Sequence, residues 1–256
     1  MISDKIPTDV LKYELRNLQL KVAQESRSSY LTFVKKVWPE FITGSHHKII
    51  AKKLEAVSRG EIKRLIVNMP PRHTKSEFAS FLFPAWMMGL NPKLKIIQTT
   101  HTAELSYRFG RKVRNLMSEK DYTDIFKGVK LSEDSKAAGR WETNKGGEYF
   151  AAGTGGAITG RGADLLIIDD PHSEQDALSA TALDNAYEWY TSGPRQRLQP
   201  GGAIVIVMTR WSVKDLTGKL MAAQTEPMAD QWEVVEFPAV LKNKAMWPEY
   251  WNKKEL

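Results

Sequence analysis

The sequence predicts an α/β fold with a mainly parallel central sheet and helices on both faces. Two observations carry this prediction. Short apolar segments alternate with segments that have the 3.6-residue spacing of amphipathic helices. Two of the apolar segments, residues 165–168 and 204–207, contain no polar position, as expected for central strands that helices cover on both sides.

The pattern along the chain predicts three regions. Residues 1–60 form a helical region packed on the core, residues 61–240 form the α/β core, and residues 241–256 are an open end. The predicted helices cover residues 8–26, 30–37, 45–59, 76–89, 103–117, 179–193 and 212–224, and the predicted strands cover residues 64–69, 94–99, 149–152, 165–169, 203–208 and 232–237.

Composition excludes several classes of site. The 256 residues include no cysteine, which excludes disulfides and thiolate metal sites. Lys and Arg total 37 against 30 Asp and Glu, so the chain permits a polyanionic partner without requiring one. The longest mostly apolar stretch, residues 78–90, is too short to span a bilayer and contains Pro84. Residues 1–5 show no export signal.

A candidate phosphate-binding loop follows the first predicted strand and opens a helix. In such a loop, backbone N–H groups cradle phosphates, a lysine reaches the β- and γ-phosphates, and a following serine holds Mg²⁺. Lys75 and Ser76 stand in those two places, although Met69 and Thr74 replace both glycines of the usual pattern. The alternative is a solvated helix start. The predicted nucleotide-binding residues are Pro70, Pro71, Arg72, His73, Thr74, Lys75, Ser76 and Glu77.

Two further strands end in residues that suit the same chemistry. Asp169 and Asp170 follow a buried strand, where Asp169 can bind Mg²⁺ and Asp170 can deprotonate the attacking water. Thr209 follows another buried strand and is suited to sense the γ-phosphate. The alternative for the two acids is ordinary turn chemistry before Pro171. Together with the loop, this order of strands predicts a P-loop NTPase of the RecA/ASCE-like type that uses ATP and Mg²⁺.

Several longer motifs resemble one family, the large terminase subunit of tailed bacteriophages. The resemblance runs from about Phe41 to Leu256. The motifs are Gly-Ser-His-His at 44–47, Asn-Met-Pro-Pro-Arg-His-Thr-Lys-Ser-Glu at 68–77, Phe-Pro-Ala-Trp at 83–86, the glycine-rich 155–164, Ile-Asp-Asp-Pro at 168–171 and Met-Thr-Arg-Trp at 208–211.

The resemblance implies an ATPase motor that moves double-stranded DNA into a procapsid. Its expected partners are DNA, the portal of the procapsid and a small terminase subunit. It implies a ring on the portal, a monomer when isolated, and a place in the cytoplasm of the infected bacterial host without any membrane association. Family members also carry a nuclease domain of RNase H-like fold. Residues 246–249 resemble the linker to it, so we expect the motor half alone and no nuclease activity.

The resemblance also assigns roles to individual residues. Arg72 corresponds to an arginine that the family's loop carries, and it can act on the phosphates in cis. Thr74 departs from the family, which usually has glycine there. Asp170 also departs, since many members have glutamate, and Glu174 is therefore an alternative water-activating residue.

Three other features have both a functional and a structural interpretation. Arg161, between Gly160 and Gly162, is either a mobile arginine finger for a neighbouring subunit or part of a flexible loop. His46 and His47 should diverge on a helix, too far apart to share a metal, and cap that helix near the adenine pocket. Arg108, Arg111, Lys112 and Arg114 form either a solvated face or a DNA contact.

Two other functions remain open at this stage. A helicase-like nucleic-acid remodeller would need a second RecA-like domain, and the residues after Phe237 are too few for one. A non-catalytic DNA-binding or docking module fits the loss of both loop glycines. It does not account for the joint presence of Lys75, Ser76, Asp169, Asp170 and Thr209.

Overall fold

The computed structural model describes residues 7–134 and 137–256. Its helices are α1 (Thr8–Ser28), α2 (Tyr30–Val37), α3 (Ser45–Ser58), α4 (Phe83–Leu90), α5 (Ala103–Leu116), α6 (Lys120–Ile125), α7 (Ala180–Ser192) and α8 (Leu216–Ala223). Its strands are β1 (Arg64–Asn68), β2 (Lys95–Thr100), β3 (Arg140–Glu142), β4 (Glu148–Gly153), β5 (Ala163–Asp169), β6 (Leu198–Met208), β7 (Glu233–Glu236), β8 (Val240–Leu241) and β9 (Lys244–Ala245).

The central sheet confirms the predicted fold class. Within the described residues it has seven strands in the order β3-β4-β2-β5-β6-β1-β7, and all neighbours are parallel except β3 and β4. The register places Asn68 of β1 beside Met208 of β6, and Asp169 of β5 beside Val207. The carboxyl ends of β1, β6 and β5 therefore meet at one edge, where ligands of α/β proteins bind.

Helices cover both faces of this sheet, as predicted. Leu65 and Val67 of β1 lie in a core that also contains α2, α3, α4 and α5, whereas Ile66 lies in the opposite core. That second core includes Tyr190 of α7 and Leu220 of α8. Alternate residues of each strand thus enter opposite layers, and this burial explains why the strands have no polar face.

The three predicted N-terminal helices are present as α1, α2 and α3. Tyr30 of α2 is fully buried, and its ring contacts those of Phe78, Phe83 and Trp86. Its hydroxyl donates a hydrogen bond to the carbonyl of Phe78. Aromatic packing of this kind fixes α2 against the helix that follows the candidate phosphate-binding loop.

Some elements differ from the sequence prediction. The short α6 and β3 were not predicted, and the helix after the loop contains a π-helical segment, Glu77–Leu82. Such segments are often found at functional sites. In the described part of the chain no helix is long and apolar enough to cross a membrane. Residues 1–6, where no export signal is predicted, lie outside the described residues.

Candidate active site

The loop between β1 and the following helix has an unusual backbone for its residue types. Arg72 has a φ of 59° and Thr74 a φ of 66°, both in the left-handed region that favours glycine. Each such residue costs about 1–2 kcal/mol in a chain of L-amino acids. Thr74 thus adopts the conformation for which glycine is usual, and other contacts must offset its strain.

A hydrogen-bond chain from α3 holds Thr74 in this conformation. The Nδ1 atom of His47 accepts the backbone N–H of Gly44 at 2.8 Å, so its Nε2 atom carries the proton. That Nε2–H group donates to Thr74 Oγ1 at 2.6 Å, and the same hydroxyl donates to the His73 carbonyl at 2.6 Å. Burial, followed by the nearby His46 and His73, lowers the pKa of His47 to about 3. His47 is therefore neutral and links α3 to the loop.

Substitution of Thr74 tests this balance of strain and hydrogen bonding. Thr74→Ala keeps the strain and leaves the buried His47 donor without a partner, so we expect a loss of about 2 kcal/mol in the free energy of unfolding. Thr74→Gly removes the strain as well as the hydroxyl and should lose about 1 kcal/mol less than Thr74→Ala. Thr74→Ser, the control, keeps the hydroxyl. Denaturant unfolding measures all three, and a glycine variant more stable than the parent would contradict the role of His47.

The two residues that end the loop contact the two acids that end β5. Lys75 Nζ lies 2.8 Å from Asp170 Oδ2, and the lysine side chain is only 7% exposed. Ser76 Oγ donates a hydrogen bond to Asp169 Oδ1 at 2.9 Å. The structure thus brings two loop residues and two acidic residues into direct contact, although the sequence predicts the two pairs separately.

Asp169 has the features of a divalent-metal ligand. It is buried, and its Oδ2 atom has no hydrogen-bond partner within the described residues. Burial, followed by the charge of Asp170, raises the pKa of the Asp169 carboxyl above its ordinary value, against the opposing effects of Lys75 and of the nearby Ser80 and Ser76 hydroxyls. A cation beside the free oxygen would stabilise the carboxylate instead. With the Ser76 hydroxyl, this gives two oxygen donors of the kind that Mg²⁺ prefers.

Asp170 is held in position through both carboxylate oxygens. Its Oδ1 atom accepts the backbone N–H of Thr209 at 2.7 Å, while Oδ2 pairs with Lys75. Its own backbone is left-handed, with a φ of 40°. Asp170 thereby fixes the end of β6 to the end of β5. Its side chain is 27% exposed and can reach solvent.

An open cavity of about 470 Å³ lies beside these groups. Lys75, Asp170 and Thr209 line it, together with the exposed Glu174 and with Trp211. Both candidates for the water-activating residue therefore face the same space. Asp170 is rigidly held by Thr209 and Lys75, whereas Glu174 lies in the loop after β5.

A partly buried ionic network beneath the loop was missed from the sequence. Arg210 donates to Asp215 Oδ2 and to Glu236 Oε1, both at 3.0 Å, and Asn68 also donates to Glu236 at 2.9 Å. Asp215 is fully buried and caps α8 through the N–H of Gly218. The network joins the ends of β6, β1 and β7. The available signal was an Asp placed just before an apolar helix, which predicts an N-cap.

Comparisons with known proteins give distant likenesses. No protein-family model matches the sequence, and no curated protein matches it. Two similar solved structures come from a thermophilic bacteriophage. Both are large terminases. The complex with ADP is 14% identical with a TM-score of 0.43, and the complex with ATP-gamma-S is 12% identical with a TM-score of 0.45.

The two likenesses cover only part of each molecule. Each match covers 73% of this chain and 44% of the terminase chain, so the present chain spans less than half the length of those chains. At these identities and TM-scores the function proposed below rests on the residues of this chain.

Arg161 lies apart from the acids and is held in place. Its guanidinium pairs with Glu148 and stacks over the Phe150 ring at 4.0 Å, and Glu148 also pairs with Arg140 at 3.3 Å. Arg161 is predicted to be mobile, and in this structure an ion pair and a cation–π contact offset the freedom of the flanking glycines. Glu148 is the first residue of β4, and the last residue of that strand, Gly153, lies in register with Asp169 across β2. The length of β4 therefore separates Glu148 from the level of Asp169 by about 17 Å.

The histidine pair is also closer than predicted. His46 and His47 have ring centroids 3.7 Å apart, because His47 folds back onto the N–H of Gly44 in the first helical turn. Both rings are buried under Trp247 and do not line the cavity beside Lys75. The expectation that the two side chains diverge is wrong, while the expected capping role is seen for His47.

The remaining predicted residues lie around the loop. Arg72 and Pro71 are exposed, and Pro70 is half-buried. The ring of His73 is buried against Trp251, and burial lowers its pKa. Glu77 lies 3.8 Å from Lys112 of α5. Lys112 also lies over the Phe81 ring, whereas Arg108 and Arg111 are exposed on α5.

Proposed function

We propose that this chain is an ATP-hydrolysing motor that moves double-stranded viral DNA into a procapsid. The observation that carries the ATPase proposal is the pairing of Ser76 with a buried Asp169 that keeps one oxygen free, directly beside Lys75 and Asp170. This is the set of groups that phosphoryl transfer needs, since such catalysis consists of positioning and charge stabilisation. The DNA-packaging role rests on the terminase-like motifs.

The residues of the loop would act on the phosphates of ATP. The N–H groups at the start of the helix bind them, and Lys75 turns from Asp170 to the β- and γ-phosphates. Ser76 and Asp169 would hold Mg²⁺, which neutralises charge on the phosphates. Asp170, released from Lys75, then accepts a proton from the water that attacks the γ-phosphorus. Thr209, whose N–H binds Asp170, transmits that change to β6.

Arg161 would act on a neighbouring subunit in a ring. Arg161 pairs with Glu148 at the start of β4, at the sheet edge opposite the candidate active site, so it would not contact a phosphate bound by its own chain. Arg72 in the loop would contact the phosphates bound by its own chain. For a trans role Arg161 must leave Glu148, and an inserted arginine is worth about 10³–10⁵ in rate. Arg161→Ala should therefore lower turnover in assembled rings and leave the isolated chain unchanged, as phosphate release in both states would show.

Partners and location follow from the same proposal. The motor would bind the portal of the procapsid and a small terminase subunit, in the cytoplasm of an infected bacterial cell. The exposed Arg108 and Arg111 are candidates for DNA contact. A helicase-like remodeller and a non-catalytic docking module remain the alternatives.

Phosphate release from Mg-ATP, with and without double-stranded DNA, separates the three functions. The motor should hydrolyse ATP slowly alone and faster when assembled with DNA and portal, and chelation of Mg²⁺ should abolish both rates. A remodeller would instead separate strands. A docking module would bind DNA and release no phosphate, which would contradict the proposal.

A further inference from the structure

Helix α1 presents an apolar surface that nothing in the described structure covers. Residues 7–21 are all exposed, and the helix buries only Ala23 and Ser26. Leu11, Leu15 and Leu18 are 49%, 55% and 58% exposed. With Val22 they are spaced by four, three and four residues, the spacing of a coiled-coil seam.

The part of this seam from Leu11 to Leu18 lies clear of the rest of the protein, whereas Val22 at its end is half-buried. Another side of α1 meets the body, where Arg27 donates to the Ile125 carbonyl at 2.7 Å and Leu20 lines a groove with Asp124. At 100° per residue, the buried Ala23 and Ser26 lie roughly 110° and 50° around the helix from the centre of the seam. A second helix can therefore lie along Leu11, Leu15 and Leu18, and it approaches the body at Val22.

A partner helix on this seam would stabilise the exposed part of α1. Helices of fewer than about 12–15 residues are marginal in water, and most helical stability comes from packing of an apolar face. Residues 8–21 have almost none of that packing. Four large apolar side chains in one row are also more than scattered surface residues would supply.

We propose that α1 pairs with α1 of a second copy of this chain, in antiparallel orientation. The charges beside the seam favour a second copy as the partner and an antiparallel orientation of the two helices. Antiparallel packing of Leu11 on Val22 and of Leu15 on Leu18 places Glu14 beside Lys21 of the second copy. The two-fold symmetry repeats that attractive pair. Parallel packing would place Glu14 beside the uncharged Gln19.

The pairing is independent of the proposed ATPase. The seam belongs to α1, whereas the candidate active site lies at the carboxyl ends of β1, β5 and β6. Such a dimer differs from the monomer that the family resemblance implies for the isolated chain. A two-fold contact of this kind also differs from the head-to-tail contacts that build a ring.

Sedimentation equilibrium of the whole chain tests the pairing. We expect a monomer–dimer equilibrium, with helical content that falls on dilution. Leu15→Lys and Leu18→Lys should give monomers, and their unchanged near-ultraviolet circular dichroism would show that the core is folded. Glu14→Lys and Lys21→Glu should each raise the dimer dissociation constant by about tenfold, and the double variant should restore it. Asp9→Lys, on the far side of α1, is the matched control.

Three results would overturn the inference. A parent chain that is monomeric at every concentration would exclude the second copy as the partner. A dimer that survives both leucine variants would place the contact elsewhere. Charge reversals with no effect, in a dimer that the leucine variants abolish, would contradict the antiparallel arrangement.

Discussion

Lys75→Ala is expected to lower ATP turnover by at least about 10²–10³-fold, because it removes the cation that stabilises charge on the transferring phosphate. The fold should be retained. Lys75 contacts Asp170, which is 27% exposed and keeps the N–H of Thr209, so no buried charge is left without a partner. We expect a loss of about 1 kcal/mol in the free energy of unfolding.

Lys112→Ala is the matched control for this variant. Lys112 lies on α5, 3.8 Å from Glu77 and over the Phe81 ring, so it is a lysine near the same helix outside the loop. Its loss should change turnover by less than about threefold, because it does not contact Asp169 or Asp170. Phosphate release and thermal unfolding measure both variants. Equal turnover in Lys75→Ala and the parent would end the phosphate-loop interpretation.

Asp170→Asn should retain nucleotide binding and lose about 10²–10⁴-fold in turnover, since an amide cannot accept a proton from water. The substitution is conservative for the structure. The asparagine oxygen can still accept the N–H of Thr209, and asparagine tolerates the left-handed backbone at this position. The variant loses the ion pair between Asp170 and Lys75, so Lys75 can contact the phosphates of ATP without first breaking that ion pair. Affinity for Mg-ATP should therefore stay the same or rise.

Glu174→Gln is the companion variant for the proton acceptor. Glu174 lines the same cavity, and among the described residues no hydrogen bond or ion pair fixes its side chain beside Lys75. It should change turnover by less than about threefold if Asp170 is the base. Single-turnover hydrolysis, with binding measured separately by calorimetry, separates chemistry from affinity. A larger loss in Glu174→Gln than in Asp170→Asn would reassign the base.

The pairing of Lys75 with Asp170 gives these two predictions a common cause. In this structure Lys75 and Asp170, the proposed proton acceptor, neutralise each other. ATP would draw Lys75 towards its phosphates, and the same movement would free the Asp170 carboxylate to activate water. Hydrolysis would thus be coupled to correct placement of the phosphates, and Thr209 would respond to the change through its N–H.

The sequence predicted the sheet well because each central strand is buried on both faces. Strands β1, β5 and β6 show this as runs without polar residues, and the residues that follow them carry the chemistry. Since parallel strands end at one edge, strand order alone predicts that Lys75, Asp169 and Thr209 lie close together. The structure places them there. Their chemical roles remain predictions.

Contacts between distant segments could not be read from local patterns. Nothing near Thr74 in the sequence indicates that His47, 27 residues away, holds its hydroxyl. The partner of Arg161, Glu148, lies on β4, and flanking glycines predicted freedom where an ion pair fixes the side chain. The same holds for Arg210 and Glu236, which meet only because β1 lies between β6 and β7.

A crystal structure with Mn²⁺ and a non-hydrolysable ATP analogue tests the central claim most directly. Mn²⁺ takes the same oxygen ligands as Mg²⁺, and its anomalous scattering locates it without ambiguity. We expect the metal between Ser76 Oγ and the Asp169 carboxylate, the γ-phosphate beside Lys75, and Lys75 separated from Asp170. A nucleotide bound elsewhere, or a metal that neither Ser76 nor Asp169 approaches, would contradict the account.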